Sequence, residues 1–158
     1  MGYTSRFLTL TKGTGVINRI FHGYGKFEGE MDGRKNGALI SMANGKAVAF
    51  AIFNLQARGE MFVTHNDPVY EGMIVGLAPK AGDMIINVMK GKQLTNMRTQ
   101  GTDENVVLTP VRQMSIAEQL SMLNTDEALE ITPKSLRLRK AILNPTERKK
   151  NEKSGTPL

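Results

Sequence analysis

Nine residues, Lys90-Gly-Lys-Gln-Leu-Thr-Asn-Met-Arg98, hold the pattern with the most chemistry in it. Lys90, Lys92 and Arg98 are cationic, Thr95 and Asn96 are short hydrogen-bonding groups, and the run has little apolar content to bury. Such a mixture suits phosphate oxygens and sugar or base edges, with Arg98 able to hold two phosphate oxygens at once. The segment is therefore expected to be a loop that touches RNA, with Leu94 and Met97 anchoring it to the domain. A second basic region lies further on. Eight basic residues from Lys134 to Lys153 stand against only Glu147 and Glu152, which accounts for the whole net charge of +6. A one-sided stretch of this kind seeks polyanions, although a solvated tail that merely aids solubility would read the same way. Within it Lys134, Arg137, Arg139 and Lys140 are expected to form a second, less specific RNA footprint.

Catalytic readings fail on spacing. Gly91-Lys92 suggests a phosphate loop, but Ile86 stands where its first glycine is required and Gln93 follows the lysine in place of Ser or Thr. His22 and His65 are too far apart to form a ligand-spaced cluster, and Thr102-Asp103-Glu104 reads as a turn or cap before it reads as acid–base machinery. No metal, cofactor or catalytic residue is assigned.

The elements that must position these residues come next. A chain of 158 residues, 40% hydrophobic and 23% charged, suffices for one compact domain or one domain plus a further piece. It has no cysteine, which excludes disulfides and fits a reducing compartment. Its longest apolar run, 47–53, is too short to cross a bilayer, so a cytoplasmic location without membrane contact is expected. Ser5 to Lys12 reads as a short helix stopped by Gly13, and Gly15 to Tyr24 alternates like a strand. A glycine-rich loop over 23–36 marks a domain boundary.

Beyond it, Ala38 to Met42 and Lys46 to Phe53 flank Asn44-Gly45 and are expected to form a hairpin with a nearly flat alanine face. Strands are expected at Met61–Thr64, Val69–Ala78, Met84–Met89, Val106–Pro110 and Ala128–Thr132. Ser115-Ile-Ala-Glu118 is a capping box that opens the main helix, running to about Asn124. After Thr132-Pro133, Leu136-Arg-Leu-Arg139 alternates as a strand that exposes both arginines, while a helix capped by Thr132 is the other possibility. A short helix follows Asn144-Pro145, and the chain beyond Lys149 is expected to be a mobile tail.

Several ordered segments carry a family resemblance. Phe7-Leu-Thr-Leu-Thr-Lys-Gly-Thr-Gly15, Phe53-Asn-Leu-Gln-Ala-Arg-Gly59, Tyr70-Glu-Gly-Met-Ile-Val-Gly76, Lys92-Gln-Leu-Thr-Asn-Met-Arg98 and Thr132-Pro-Lys-Ser-Leu-Arg-Leu-Arg-Lys140 are the most telling. Together they resemble the carboxy-terminal part of the BipA/TypA translational GTPases. Glu60, where a basic residue usually follows the glycine, and Thr99-Gln100, in place of the small residues usual after Asn-Met-Arg, depart from the family's commonest pattern.

The resemblance implies an α+β chain in which a truncated ferredoxin-like helix–strand piece (1–36) precedes a β-rich C-terminal domain with one main helix (37–145) and a basic tail (146–158). It implies a fragment or a truncated product without the GTPase domain, so GTP and Mg would belong elsewhere and this chain would not be an enzyme. It also implies contact with the ribosome: the loop matching Lys90 to Arg98 would meet large-subunit rRNA and the acceptor end of A-site tRNA. The alternative is a protein-interaction module that docks the remaining domains or a ribosomal protein, with the basic residues incidental.

Overall fold

The computed structural model describes residues 3–26, 34–91 and 107–154, with the side chains of residues 5, 6 and 9 excepted. The fold is α+β. Helix α1 (Tyr3–Leu10) ends where Lys12 and Gly13 take φ of 50° and 81°, and the Gly13 N–H donates to the Leu8 carbonyl, so glycine does terminate this helix. Residues 15–24 are irregular instead of forming the expected strand. Val16, Ile20, Phe21 and Tyr24 stand exposed, and alternation without a pairing partner leaves a strand no ladder to join.

The main sheet has the order β3-β5-β1-β6, made from β1 (Ala38–Ser41), β3 (Glu60–Met61), β5 (Ile74–Leu77) and β6 (Met84–Ile86). Strand β1 is buried at all four positions because it lies between β5, antiparallel to it, and β6, parallel to it. Side chains alternate across the sheet. Leu39 and Val75 join one buried cluster with Met61, Val63, Val69 and Val88, while Ala38, Ile40 and Ile74 join another with Leu138. Each fully buried aliphatic of this kind contributes about 1.5–3 kcal/mol.

The first face is covered by helix α2 (Ala49–Gln56), and this corrects the expected hairpin. Only β2 (Gly45–Lys46) is extended after the turn, and it pairs with β4 (Pro68–Val69) and not with β1. Asn44 uses its side-chain oxygen to accept the Glu71 N–H. The alanine alternation that suggested a strand coexists with a helical spacing, Val48, Ala51, Ile52 and Leu55, and burying that stripe against the sheet decided between them. The expected strand over 69–78 is broken at Glu71-Gly72. Gly72 has φ of 83°, and a Cβ there would collide with Leu143. Residues 107–110 form no strand.

The second face is covered by helix α3 (Ile116–Met122) and by the antiparallel hairpin of β7 (Glu127–Ile131) and β8 (Leu136–Lys140). The capping box is present: the Ser115 Oγ accepts the Glu118 N–H, and the Glu118 carboxylate accepts the Ser115 N–H. The strand reading of 136–140 holds, as does the helix after Asn144. Helix α4 (Pro145–Ser154) starts with Pro145 at its first position, and the Asn144 side chain accepts the N–H groups of Thr146 and Glu147. The stretch expected as a mobile tail is thus helical through Ser154, with no buried residue and the Lys149, Lys150 and Lys153 side chains in solvent.

Candidate nucleic-acid interface

The basic segment follows β6 in the chain, and the described residues on its two sides, 88–91 and 107–109, are both tied to α2. On the outgoing side the Val48 N–H, at the start of α2, donates to the Val88 carbonyl, and Val88 is fully buried. Met89 packs against the same core cluster, and Lys90 then emerges into solvent. On the returning side Gln56, the last residue of α2, accepts the Thr109 N–H with its Oε1 and donates from its Nε2 to the Val107 carbonyl. Leu108 packs against the cluster between these two bonds. The two anchors lie at opposite ends of α2, so one helix ties both flanks of the segment to the core. Lys92, Thr95, Asn96 and Arg98 lie outside the described residues, as do Leu94 and Met97.

The second basic region divides by face. Strand β8 pairs Arg137 with Glu130 and Arg139 with Ala128, so the two arginines share the outer face, both half-buried and not fully exposed as expected. Arg137 meets Glu130 at 3.5 Å. The same carboxylate accepts the Tyr70 hydroxyl, and burial together with that hydrogen bond pushes the Tyr70 pKa up to about 12. Arg139 turns its guanidinium onto the carbonyls of Lys140 and Ala141. Lys134 sits exposed at the hairpin tip, in a turn closed by Thr132 and Ser135, with no carboxylate partner among the described residues.

Lys140 does not belong with them. It falls on the Leu136–Leu138 face of β8, is 2% exposed, and places its ammonium 2.5 Å from Asp83, 2.7 Å from Asp126 and 3.0 Å from Glu127. Period two sends Leu136, Leu138 and Lys140 inward together, a signal already present in the sequence. A lysine so enclosed is held by its partners and is unavailable to a phosphate. Burial alone would lower the Lys140 pKa, but hydrogen bonds to Asp126 and Asp83 and the Glu127 charge hold it above its ordinary value. Burial likewise opposes ionisation of Asp83, yet hydrogen bonds from Lys140 and the Ala38 N–H hold its carboxyl below the usual range.

Glu127, whose side chain is fully buried, is also clasped by Arg34 through two bonds of 2.8 and 3.1 Å, and the Arg34 guanidinium reaches the Met122 carbonyl as well. These five charged groups tie residue 34, the approach to β6, the end of α3 and both strands of the hairpin into one unit. None of this network was foreseen, because its members are scattered from 34 to 140. Among the described residues no grouping of side chains is suited to hold a metal ion. No helix there is long and apolar enough to cross a membrane.

The domain so described can be compared with known proteins. A model of the TypA/BipA C-terminal domain matches residues 36–145. The chain belongs to the TypA/BipA family. The large ribosomal subunit assembly factor BipA of Buchnera aphidicola subsp. Schizaphis graminum is 46% identical over 159 residues, covering 100% of this chain and 26% of that protein. The protein of the same name from Salmonella typhimurium is 45% identical over 151 residues, covering 95% of this chain and 25% of that one. Its Escherichia coli K12 counterpart matches to the same extent. The chain thus spans about a quarter of the length of the curated relatives it matches. The matched TypA/BipA region contains α2, both loop stems, the hairpin and all of the buried ion network except Arg34, and it ends at the first residue of α4.

Proposed function

We propose that this chain is the ribosome-contacting C-terminal part of a BipA/TypA translational GTPase, and that it binds RNA through the loop 90–98 without catalysis of its own. The observation that carries this reading is the pinning of both loop stems to α2, which gives a cationic loop a fixed base on a packed domain. Lys90, Lys92 and Arg98 neutralise phosphates, and Thr95 and Asn96 hydrogen-bond sugar or base edges. Lys134, Arg137 and Arg139 add the second footprint; Lys140 instead holds the domain together. The relatives named for large-subunit assembly support large-subunit rRNA as the partner, and the family resemblance extends this to the acceptor end of A-site tRNA.

GTP and Mg belong in this reading to a GTPase domain outside this chain, and the setting is the cytoplasm. Residues 1–36 form a remnant of a ferredoxin-like domain, 37–145 the C-terminal domain, and 146–158 a basic extension. The decisive experiment is co-sedimentation with large ribosomal subunits. The chain should travel with them, and Lys92→Ala combined with Arg98→Ala should release most of it. Equal sedimentation of the two proteins would refute the loop's role.

A protein-docking function is favoured by one separate observation: Val16, Ile20, Phe21 and Tyr24 are 82%, 91%, 75% and 101% exposed on one short segment. That surface suits the remaining domains of the GTPase as its partner, and it does not compete with the loop for RNA.

A further inference from the structure

Where β8 leaves β5, the hairpin and the main sheet separate. The Met73–Arg139 bridge and the Lys140 N–H donated to the Gly72 carbonyl join them there, and beyond these an open groove of about 720 Å³ is lined by Met73-Ile74, Leu136–Leu138 and residues 111–119. That volume is in the range of small-ligand clefts and admits one nucleotide. Its walls carry Phe62, Met114 and Leu138, and Lys134 and Arg137 stand at its hairpin side. Gln119 also lines it. This residue is 8% exposed, and its side-chain Oε1 finds no donor among the described residues. A buried amide oxygen left without a hydrogen bond costs about 1–3 kcal/mol, so a ligand that donates to Gln119 Oε1 would recover that energy.

We propose that this groove receives one unpaired RNA base bearing an exocyclic amino group, adenine, cytosine or guanine and not uracil, with Gln119 Oε1 accepting that amino hydrogen. Phe62 and Met114 contact the base faces, and Lys134, free of any carboxylate partner among the described residues, meets the adjoining phosphate. The lining holds three cations, Arg112, Lys134 and Arg137, against one carboxylate, Asp67, which already accepts from Thr64, and this balance favours a nucleotide over a basic peptide strand. The inference rests on the RNA-binding reading above and adds a base preference to it, at a place separate from the 90–98 loop.

The test uses the full chain with fluorescent r(A)6, r(U)6 and an oligomer of N6,N6-dimethyladenosine, read by anisotropy. Wild type should bind r(A)6 about fivefold more tightly than either of the others, the equivalent of one net hydrogen bond. Gln119→Met, which keeps length and removes the orphan oxygen, should erase that preference while leaving thermal stability equal or higher. A preference that survives in Gln119→Met, or no preference in wild type, overturns the base site and leaves the loop reading intact. A fall in stability of Gln119→Met also overturns it, because the amide would then be serving the fold. Absence of any RNA binding overturns both.

Discussion

Lys140→Met removes the ammonium on which Asp83, Asp126 and Glu127 converge, and the cost can be worked from the surroundings of each carboxylate. Breaking a buried ion pair by deleting one partner typically destabilises by about 3–5 kcal/mol. Here the low end applies. The Asp83 and Asp126 side chains are 34% and 45% exposed and can take up water, while the fully buried Glu127 keeps the Arg34 clasp. The expected loss is therefore about 3 kcal/mol, or on the order of 10 °C in Tm for a chain of this size. Calorimetry and urea titration measure it directly. Because the lost charge is internal, the salt dependence of RNA binding should not change at a temperature where both proteins are folded. The deficit should also narrow at acid pH, where protonating Asp83 relieves part of the uncompensated negative charge. A loss below about 1 kcal/mol, or a shallower salt slope for RNA, would refute the assignment of Lys140 to the fold.

Stability against pH should show a plateau with two edges. The Asp83 pKa is depressed, so its contribution is complete above its ordinary value of 3.8 and disappears as pH falls through the lower folded value. The Lys140 pKa is raised, so its contribution is complete below 10.5 and is lost as pH rises beyond it; a stability curve that declines steadily between pH 5 and 9 would contradict both. Tyr70→Phe should cost about 1 kcal/mol in denaturant titration, since Glu130 retains Arg137, and ultraviolet titration should lose a phenol with a midpoint of about 12. Gln56→Leu unties the returning stem of the loop and should weaken RNA binding about fivefold, with a stability change under about 1 kcal/mol; unchanged affinity would show that the stem needs no anchor.

What could be read from residues alone followed how local the causes were. The Ser115–Glu118 capping box, the Gly13 stop and the alternation of 136–139 depend on neighbours in sequence, and all three stand in the structure. The hairpin at Asn44-Gly45 failed because its turn chemistry was satisfied differently, by a side-chain bond to Glu71, and because α2 gained more by covering a sheet face. Lys140 was misplaced by grouping it with its basic neighbours when period two had already set it beside Leu138. Arg34 and Glu127 are 93 residues apart, and no local pattern connects them. Of the proposed interface, the basic residues were evident from type and spacing, whereas the anchoring of their stems on α2 and the groove beside Gln119 depend on tertiary packing.

The cations of the 90–98 segment carry the proposed RNA contact, and a filter-binding titration of the full chain with single-stranded RNA over a series of salt concentrations tests them. Each phosphate contact contributes about 0.7 to the slope of log affinity against log salt on single strands. Lys92→Ala combined with Arg98→Ala should flatten the slope by about 1.4. An identical slope in wild type and the double variant would contradict the claim that this loop meets phosphate.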